Sequence, residues 1–268
     1  MANSNLTSER SPLIIAHRGA SAIAPENTLA AFTKAFEGGA DGLELDVRLA
    51  SDGVPVVIHD STLQRTALRA GIVGEMTSLE LSQVGVGNWF NRAHPGLAQP
   101  EYSRQTIPTL AEVFSILKAQ NGTITYVEMK LDKVVDTNEL AGLPESVAQL
   151  IGNCGVRNRV VVVSFNLNAL ARIKHADPDI RTGALFEPRR SAAKIISRRR
   201  LITTALDYGA NEILLHRLIA TRRLAEMATE KGLRPVVWTV DDPKWLRRAG
   251  QMRIHALITN NPAAMMHQ

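Results

Sequence analysis

Residues 160–186 run Val160-Val-Val-Val-Ser-Phe165, then a helix-period stretch from Leu167 to His175, then Thr182-Gly-Ala-Leu-Phe186. This strand-helix-strand unit repeats in both directions. Apolar, β-rich runs recur at Leu13-Ile-Ile-Ala16, Gly42-Leu-Glu-Leu-Asp-Val47, Ile124-Thr-Tyr-Val-Glu-Met129, Glu212-Ile-Leu-Leu-His216, Pro235-Val-Val-Trp-Thr-Val240 and His255-Ala-Leu-Ile-Thr259. Helical stretches are expected from Thr28 to Phe36, Thr109 to Lys118, Glu145 to Ile151, Ala192 to Leu206, Ala220 to Lys231 and Pro243 to Ala249. Alternation of this kind means a parallel sheet, and eight strands match a closed (β/α)8 TIM barrel better than an open doubly wound sheet. No glycine-rich dinucleotide fingerprint follows the first strand, which disfavours the open alternative further.

One stretch breaks the rhythm. From about 55 to 105 the chain carries a hairpin return strand, then Thr77-Ser-Leu-Glu-Leu81, expected as a surface helix, and Gly85-Val-Gly-Asn-Trp-Phe-Asn91. It reads as an insertion between the second strand and the second helix. In a barrel such a segment lies over the C-terminal mouth, where the βα loops build the site, and shapes access to it. Residues 11–268 are expected to form one barrel domain behind a loose polar tail, residues 1–10.

The 268 residues are enough for a full core, and no apolar run approaches the ~20 residues that a spanning helix needs. No integral membrane segment is expected. The polar start and the single cysteine, Cys154, point to a cytoplasmic protein without a disulfide or a cysteine-rich zinc site. Net charge is +5, and much of the excess falls on Arg189, Arg190, Lys194, Arg198, Arg199 and Arg200. Such a patch attracts anionic substrates, membrane headgroups or nucleic acid. No aromatic residues alternate with these bases, so a solvated helix face is preferred and no nucleic-acid partner is expected.

The polar residues that a purely structural barrel would not carry fall at strand ends. In Asp41-Gly-Leu-Glu-Leu-Asp-Val-Arg-Leu49 the period of two puts Glu44 and Asp46 on one face. Two like charges there repel, and a divalent cation is the simplest compensation. Asp52-Gly53 is a favoured hairpin turn, and centring it there sets His59 roughly opposite Asp46. His17-Arg18 closes the first strand, Glu128-Met-Lys130 the third, and Trp238 lies in the seventh. Three carboxylates suit a hard cation, while Arg and Lys suit an anion, so the cluster points to metal-assisted phosphoryl chemistry. Glu187 and His216 also end strands, where contact with substrate hydroxyls and a surface or supporting role are equally open. His94, His175, His255 and His267 are read as structural or solvent-facing.

These motifs, in this order, resemble the glycerophosphodiester phosphodiesterase (GDPD) domain family across nearly the whole chain. The matching segments are His17-Arg-Gly-Ala20, Pro25-Glu-Asn-Thr28, Glu44-Leu-Asp-Val47, Asp52-Gly53, Pro55-Val-Val-Ile-His-Asp60, Thr62-Leu-Gln-Arg-Thr66, Ile107-Pro-Thr-Leu-Ala-Glu-Val113, Glu128-Met-Lys130, Ser164-Phe165 and Val237-Trp-Thr-Val240. The resemblance implies a hydrolase in which Glu44, Asp46 and Glu128 hold one divalent cation, Mg²⁺ or Ca²⁺. His17 and His59 would act as acid and base, with His59 favoured as the acid, while Arg18, Lys130 and Trp238 would bind the substrate phosphate and its surroundings. The expected reaction takes a small glycerophosphodiester to sn-glycerol 3-phosphate and an alcohol through a cyclic phosphate, with direct attack by water as the alternative. The insertion favours this branch over sphingomyelinase-D-like relatives, in which it is much reduced. Thr259-Asn-Asn-Pro262 departs from the family, whose members more often carry an acidic residue after the Thr. A lysophospholipase-D-type enzyme, with an acyl lining around Trp89-Phe90, and a non-catalytic phosphate-binding barrel are the competing functions. A homodimer stays open.

Overall fold

A computed structural model describes residues 11–120, 122–131, 137–188 and 197–266. Nine strands run in chain order: β1 (Leu13–His17), β2 (Gly42–Leu49), β3 (Pro55–Val57), β4 (Ile124–Met129), β5 (Val160–Ser164), β6 (Arg181–Phe186), β7 (Glu212–His216), β8 (Arg234–Trp238) and β9 (Ala256–Thr259). Eight pair in parallel around a ring, β1-β2-β4-β5-β6-β7-β8-β9, which the β9–β1 pairing closes. The fold is the expected TIM barrel, and β3 is the hairpin return, antiparallel on the outside of β2.

The strands divide their side chains between two cores, as a period of two in a closed sheet requires. Ile15, Tyr126, Val161, Val163, Leu185, Leu214, Val236 and Ile258 meet inside the barrel. The alternate residues, among them Ala16, Leu43, Leu45, Val47, Val127, Val162, Ile213 and Leu257, face outward against helix residues such as Phe32, Phe114, Leu170 and Leu224. Each βα unit is therefore held by its amphipathic helix. The helix Leu29–Glu37 is opened by Thr28, whose hydroxyl accepts from the Ala31 amide, and Leu110–Ala119 by a reciprocal Thr109/Glu112 capping box. The helix expected from Glu145 to Ile151 extends over Thr137–Cys154, with Pro144 inside it. That expected to begin at Ala192 is Arg198–Asp207 among the described residues. Arg189, Arg190, Lys194, His267 and the tail 1–10 lie outside the described residues.

Between β3 and the helix Leu110–Ala119 the chain packs into two small cores, the second shared with residues that precede β2. Val56, Ile58, Leu63, Val73, Leu81, Val84, Val86 and Ile107 form one, and Ala24, Ala31, Phe90 and Tyr102 the other. Ser78–Leu81 is a short helix with a Thr77/Glu80 capping box. No helix of the described residues is long and apolar enough to cross a membrane.

Candidate active site

Strand register alone brings the charged residues together. His17 on β1 is the partner of Glu44 on β2, and Asp46 is the partner of Glu128 on β4. Arg18 follows at φ 55° and Gly19 at φ 80°, reversing the chain over the mouth. A β-carbon at position 19 would lie 2.6 Å from the Ala31 backbone, so only glycine fits this turn. The turn aims Arg18 back at the strands: its Nη1 lies 3.0 Å from Glu26 Oε1 and its Nε 3.0 Å from Asp46 Oδ2.

Glu44, Asp46 and Glu128 are buried, and ligand oxygens of all three lie within 4.8 Å of one another. Among the described residues they form the one grouping of three such side chains close enough to hold an ion. Lys130 Nζ is 2.9 Å from Asp46 Oδ1 and 2.5 Å from Glu128 Oε1. Burial raises the Asp46 pKa, but Lys130 and Arg18 outweigh it and hold this carboxyl well below its usual range. Lys130 is raised in return: burial opposes its charge, and Asp46 and Glu128 more than offset that. Glu44 is pushed well above the carboxylate range by burial and then by Asp46 and Glu128, and burial raises Glu128 as well.

The donor set fits a hard divalent cation. Three acids face Arg18 and Lys130, and Arg18 is shared with Glu26, so two cations cannot keep all of them ionised; the raised Glu44 and Glu128 show where the strain sits. A divalent cation would let all three ionise and would supply positive charge toward a phosphodiester monoanion.

The two imidazoles stand at this cluster in fixed but different settings. His17 Nδ1 lies 2.7 Å from Asn260 Oδ1, and Asn260 is itself oriented because its Nδ2 donates to Asp241 Oδ2 at 2.8 Å. His17 Nδ1–H is therefore the donor, leaving Nε2 as a lone pair 3.8 Å from Glu44 Oε2. Burial, with Arg18 close by, lowers its pKa to about 4. His59 Nδ1 lies 2.6 Å from Asp60 Oδ1, and Asp60 is held by Arg65, which also grips Glu26. Burial lowers His59 too, against the opposing pull of Asp46 and Asp60.

His59 arrives by a route that alternation does not describe. The hairpin pairs Val47 with Val57, and the Ile58 amide donates to the Asp46 carbonyl at 3.0 Å, so Ile58 and not His59 stands across from Asp46. The turn is centred on Asp52, a three-residue connection between Ala50 and Val54 where a two-residue Asp52-Gly53 turn was expected. Because β3 ends at Val57, the chain is free to swing His59 to the mouth, where the Arg48 Nε donates to its carbonyl.

These side chains share a cavity of about 150 Å³ lined by His17, Arg18, Glu44, His59, Glu128, Lys130, Glu187 and Trp238 over a floor of Val163, Phe165, Leu185, Leu214 and Ile258. Asp46 lies behind this wall, tied to Arg18, Lys130 and the Asn27 amide. Trp238 stacks edge-on against both Phe165 and His216, at 5.5 and 5.2 Å between ring centroids, so His216 supports the wall. His94 packs on Phe90 in the insertion, and Phe90 is fully buried there, so the Trp89-Phe90 pair does not line the cavity.

Sequence reasoning missed the residues that orient the site. Asn27 donates to Asp46 Oδ2 at 2.8 Å and sits at φ 56°, a conformation that asparagine tolerates better than most residues. Its place before a helix-capping Thr28 was the available signal. Asp60 directly follows His59, and the pair was visible. Arg65 lies in the matching segment Thr62-Leu-Gln-Arg-Thr66 but was given no role, and nothing local announced Asp241.

A model of the glycerophosphoryl diester phosphodiesterase family matches residues 17–264, and the chain belongs to that family. It is 30% identical over 255 residues to a glycerophosphodiester phosphodiesterase of Caldanaerobacter subterraneus subsp. tengcongensis, covering 95% of this chain and 96% of that protein. A crystal structure of a putative family member from Silicibacter pomeroyi superposes with a TM-score of 0.84 at 26% identity, over 95% of this chain and 92% of the other. An Oleispira antarctica phosphodiesterase in complex with the product sn-glycerol-3-phosphate gives 0.78 at 25% identity, over 95% of each chain.

Proposed function

We propose that this hydrolase cleaves glycerophosphodiesters to sn-glycerol 3-phosphate and an alcohol in a divalent-cation-dependent reaction, with His17 and His59 moving the protons. The observation that carries the reading is the convergence of three buried carboxylates with two singly tethered imidazoles in one cavity. The product bound by the Oleispira relative supports it. The single cysteine agrees with a cytoplasmic setting.

Glu44, Asp46 and Glu128 would hold Mg²⁺ or Ca²⁺, which supplies Lewis acidity to the phosphoryl group and lowers the pKa of a nearby glycerol hydroxyl. Arg18 and Lys130 offer N–H donors to the phosphate oxygens and balance charge as phosphorus becomes pentacoordinate. His17 starts as the base. Its depressed pKa keeps Nε2 unprotonated, its Nδ1 partner is a neutral amide, and it takes the proton of the glycerol 2-hydroxyl as that oxygen attacks phosphorus. His59 starts as the acid. Burial lowers its pKa overall, and the Asp60 carboxylate on Nδ1 works against that, orienting the ring and stabilising the imidazolium that protonates the departing alkoxide. Water then opens the cyclic phosphate with the two roles exchanged. The floor of Val163, Leu185, Leu214 and Ile258, with the Trp238–Phe165 wall, packs against carbon and keeps bulk water from the reacting centre.

The test is release of sn-glycerol 3-phosphate from glycerophosphocholine, glycerophosphoethanolamine and glycerophosphoglycerol with Mg²⁺, Ca²⁺ or Mn²⁺, lost with chelator. No release from any of these substrates with any of these cations would sink the reading. A diester lacking the 2-hydroxyl should resist cleavage, and turnover of it at the normal rate would transfer the first attack to water.

A further inference from the structure

The charge that the catalytic reading leaves unused lies in an arc on the same rim of the barrel. In this fold each helix begins at the strand ends that carry the site. The helix after β6, Arg198–Asp207, opens on Arg198, Arg199 and Arg200, that after β7, Arg222–Glu230, on Arg222 and Arg223, and that after β8, Lys244–Met252, on Lys244. Arg217, in the loop after β7, continues the arc, and all of these side chains are exposed. None of the three helices has an acid in its first turn or a base in its last, and the first two end on Asp207 and Glu230. Both ends of these first two thus oppose the macrodipole, which favours anions at a helix start and cations at its finish. Two successive helices carrying that penalty, beside a third that opens on Lys244, argue for a use of the charge.

The acids nearby are mostly spoken for. Glu226 accepts from Arg222 at 2.8 Å, Asp241 is taken up by Thr259 and Asn260, and Asp242 caps the Lys244 amide. Among the described residues no ion pair engages Arg199, Arg217 or Arg223. Between Arg217 and Arg222 the loop exposes Leu218 at 69%, a large apolar side chain set among cations. Position β7 is diametrically opposite β2 in the eight-strand ring, so this loop faces the insertion across the mouth. The insertion in turn exposes Leu68 and Ile72, each at 46%, and Ile72 lines a second cavity that shares Lys130 with the site.

We infer that the barrel mouth docks on an anionic lipid surface, the arginine arc meeting the headgroups and Leu218 entering the interface. Apolar side chains projecting among cations match the two layers of such a surface, whereas the arc has no exposed aromatic rings on which bases would stack. Docking in this pose presents the cavity to phosphodiesters at the membrane. The inference concerns binding and stands whether or not the proposed reaction is correct.

Co-sedimentation with phosphatidylcholine vesicles, with and without about 30% phosphatidylglycerol, tests it at low salt and at about 0.5 M salt. The expected result is at least tenfold tighter binding to the anionic vesicles, lost at high salt. Combining Arg199→Glu, Arg217→Glu and Arg223→Glu should weaken it by about a hundredfold, since each cation near such a surface contributes about fivefold. Two of these changes place acids where helix starts favour them, so folding is preserved. Leu218→Asp should weaken it severalfold, and hydrolysis of soluble glycerophosphocholine should stay within twofold in all variants. Equal binding to neutral and anionic vesicles, wild-type binding by the triple variant, or release of the vesicles by a lower concentration of a single-stranded oligonucleotide would each overturn the assignment.

Discussion

The two ends of this barrel bury polar groups in opposite ways. At the floor, Glu212 is fully buried and its Oε2 accepts from the Tyr126 hydroxyl at 2.9 Å, while Arg181 stands 4.0 Å away. Burial raises the Glu212 pKa, so the fold answers the cost by favouring the neutral acid. His255, at the same end, is likewise held neutral, its pKa lowered to about 4 by burial and then by Arg234 and Arg181. At the mouth, three acids crowd together, two with raised pKa values, beside two cations that do not balance them. The floor lets Glu212 and His255 go neutral, leaving Glu212 Oε1 and His255 Nε2 without hydrogen-bond partners, whereas the mouth gathers acids that a ligand cation can hold ionised. Stability is given up at one end for chemistry, as expected of functional sites.

The largest effects should separate the imidazoles at the two ends. His17→Ala or His59→Ala is expected to lower turnover by ~10²-fold or more with the far-UV spectrum unchanged, while His255→Gln leaves it within about twofold. Activity within tenfold of wild type in either mouth variant would remove that histidine from the mechanism. Next come the acids. Glu44→Gln should raise the cation concentration for half-maximal rate by about tenfold or more, and should also raise the melting temperature of the metal-free protein by about 2–4 °C by relieving repulsion. Glu212→Gln should do neither, and a matching rise in melting temperature there would erase the contrast. A smaller effect, about tenfold on kcat with KM nearly unchanged, is expected for Asn260→Ala, which frees the His17 ring to take the wrong tautomer.

The smallest effect lies at the floor and depends on pH. His255 has a folded pKa near 4 and an ordinary unfolded value near 6.5, so the unfolded chain binds the extra proton between these limits. Its contribution to stability is therefore complete above pH 6.5 and declines as pH falls towards 4. Unfolding by denaturant should show His255→Gln losing about 1–2 kcal/mol less than wild type over that interval. Parallel pH profiles of the two proteins would refute this account of the floor.

What the sequence made legible follows from how locally each feature is encoded. The strand-helix rhythm from Val160 to Phe186 carries the fold, because an apolar run and the helix after it are each set by a few neighbouring residues. Glu44 and Asp46 were legible for the same reason, two residues apart on one strand face. The approach of His59 was foreseen but its route was not: hairpin register hinges on a single residue in the turn, and β3 stops before alternation can place the ring. Asn260 stood out as a departure from the family pattern, yet its bond to His17 spans 243 positions and appears only once the barrel closes. The same holds for Arg65, whose two carboxylate partners, Asp60 and Glu26, lie in different loops.

Diffraction from crystals soaked in Mn²⁺, recorded at the manganese absorption edge, tests the central claim most directly. One anomalous peak bounded by carboxylate oxygens of Glu44, Asp46 and Glu128, with His17 and His59 on its flanks, is the predicted result. A fully active protein whose only ordered ion lies elsewhere would contradict it.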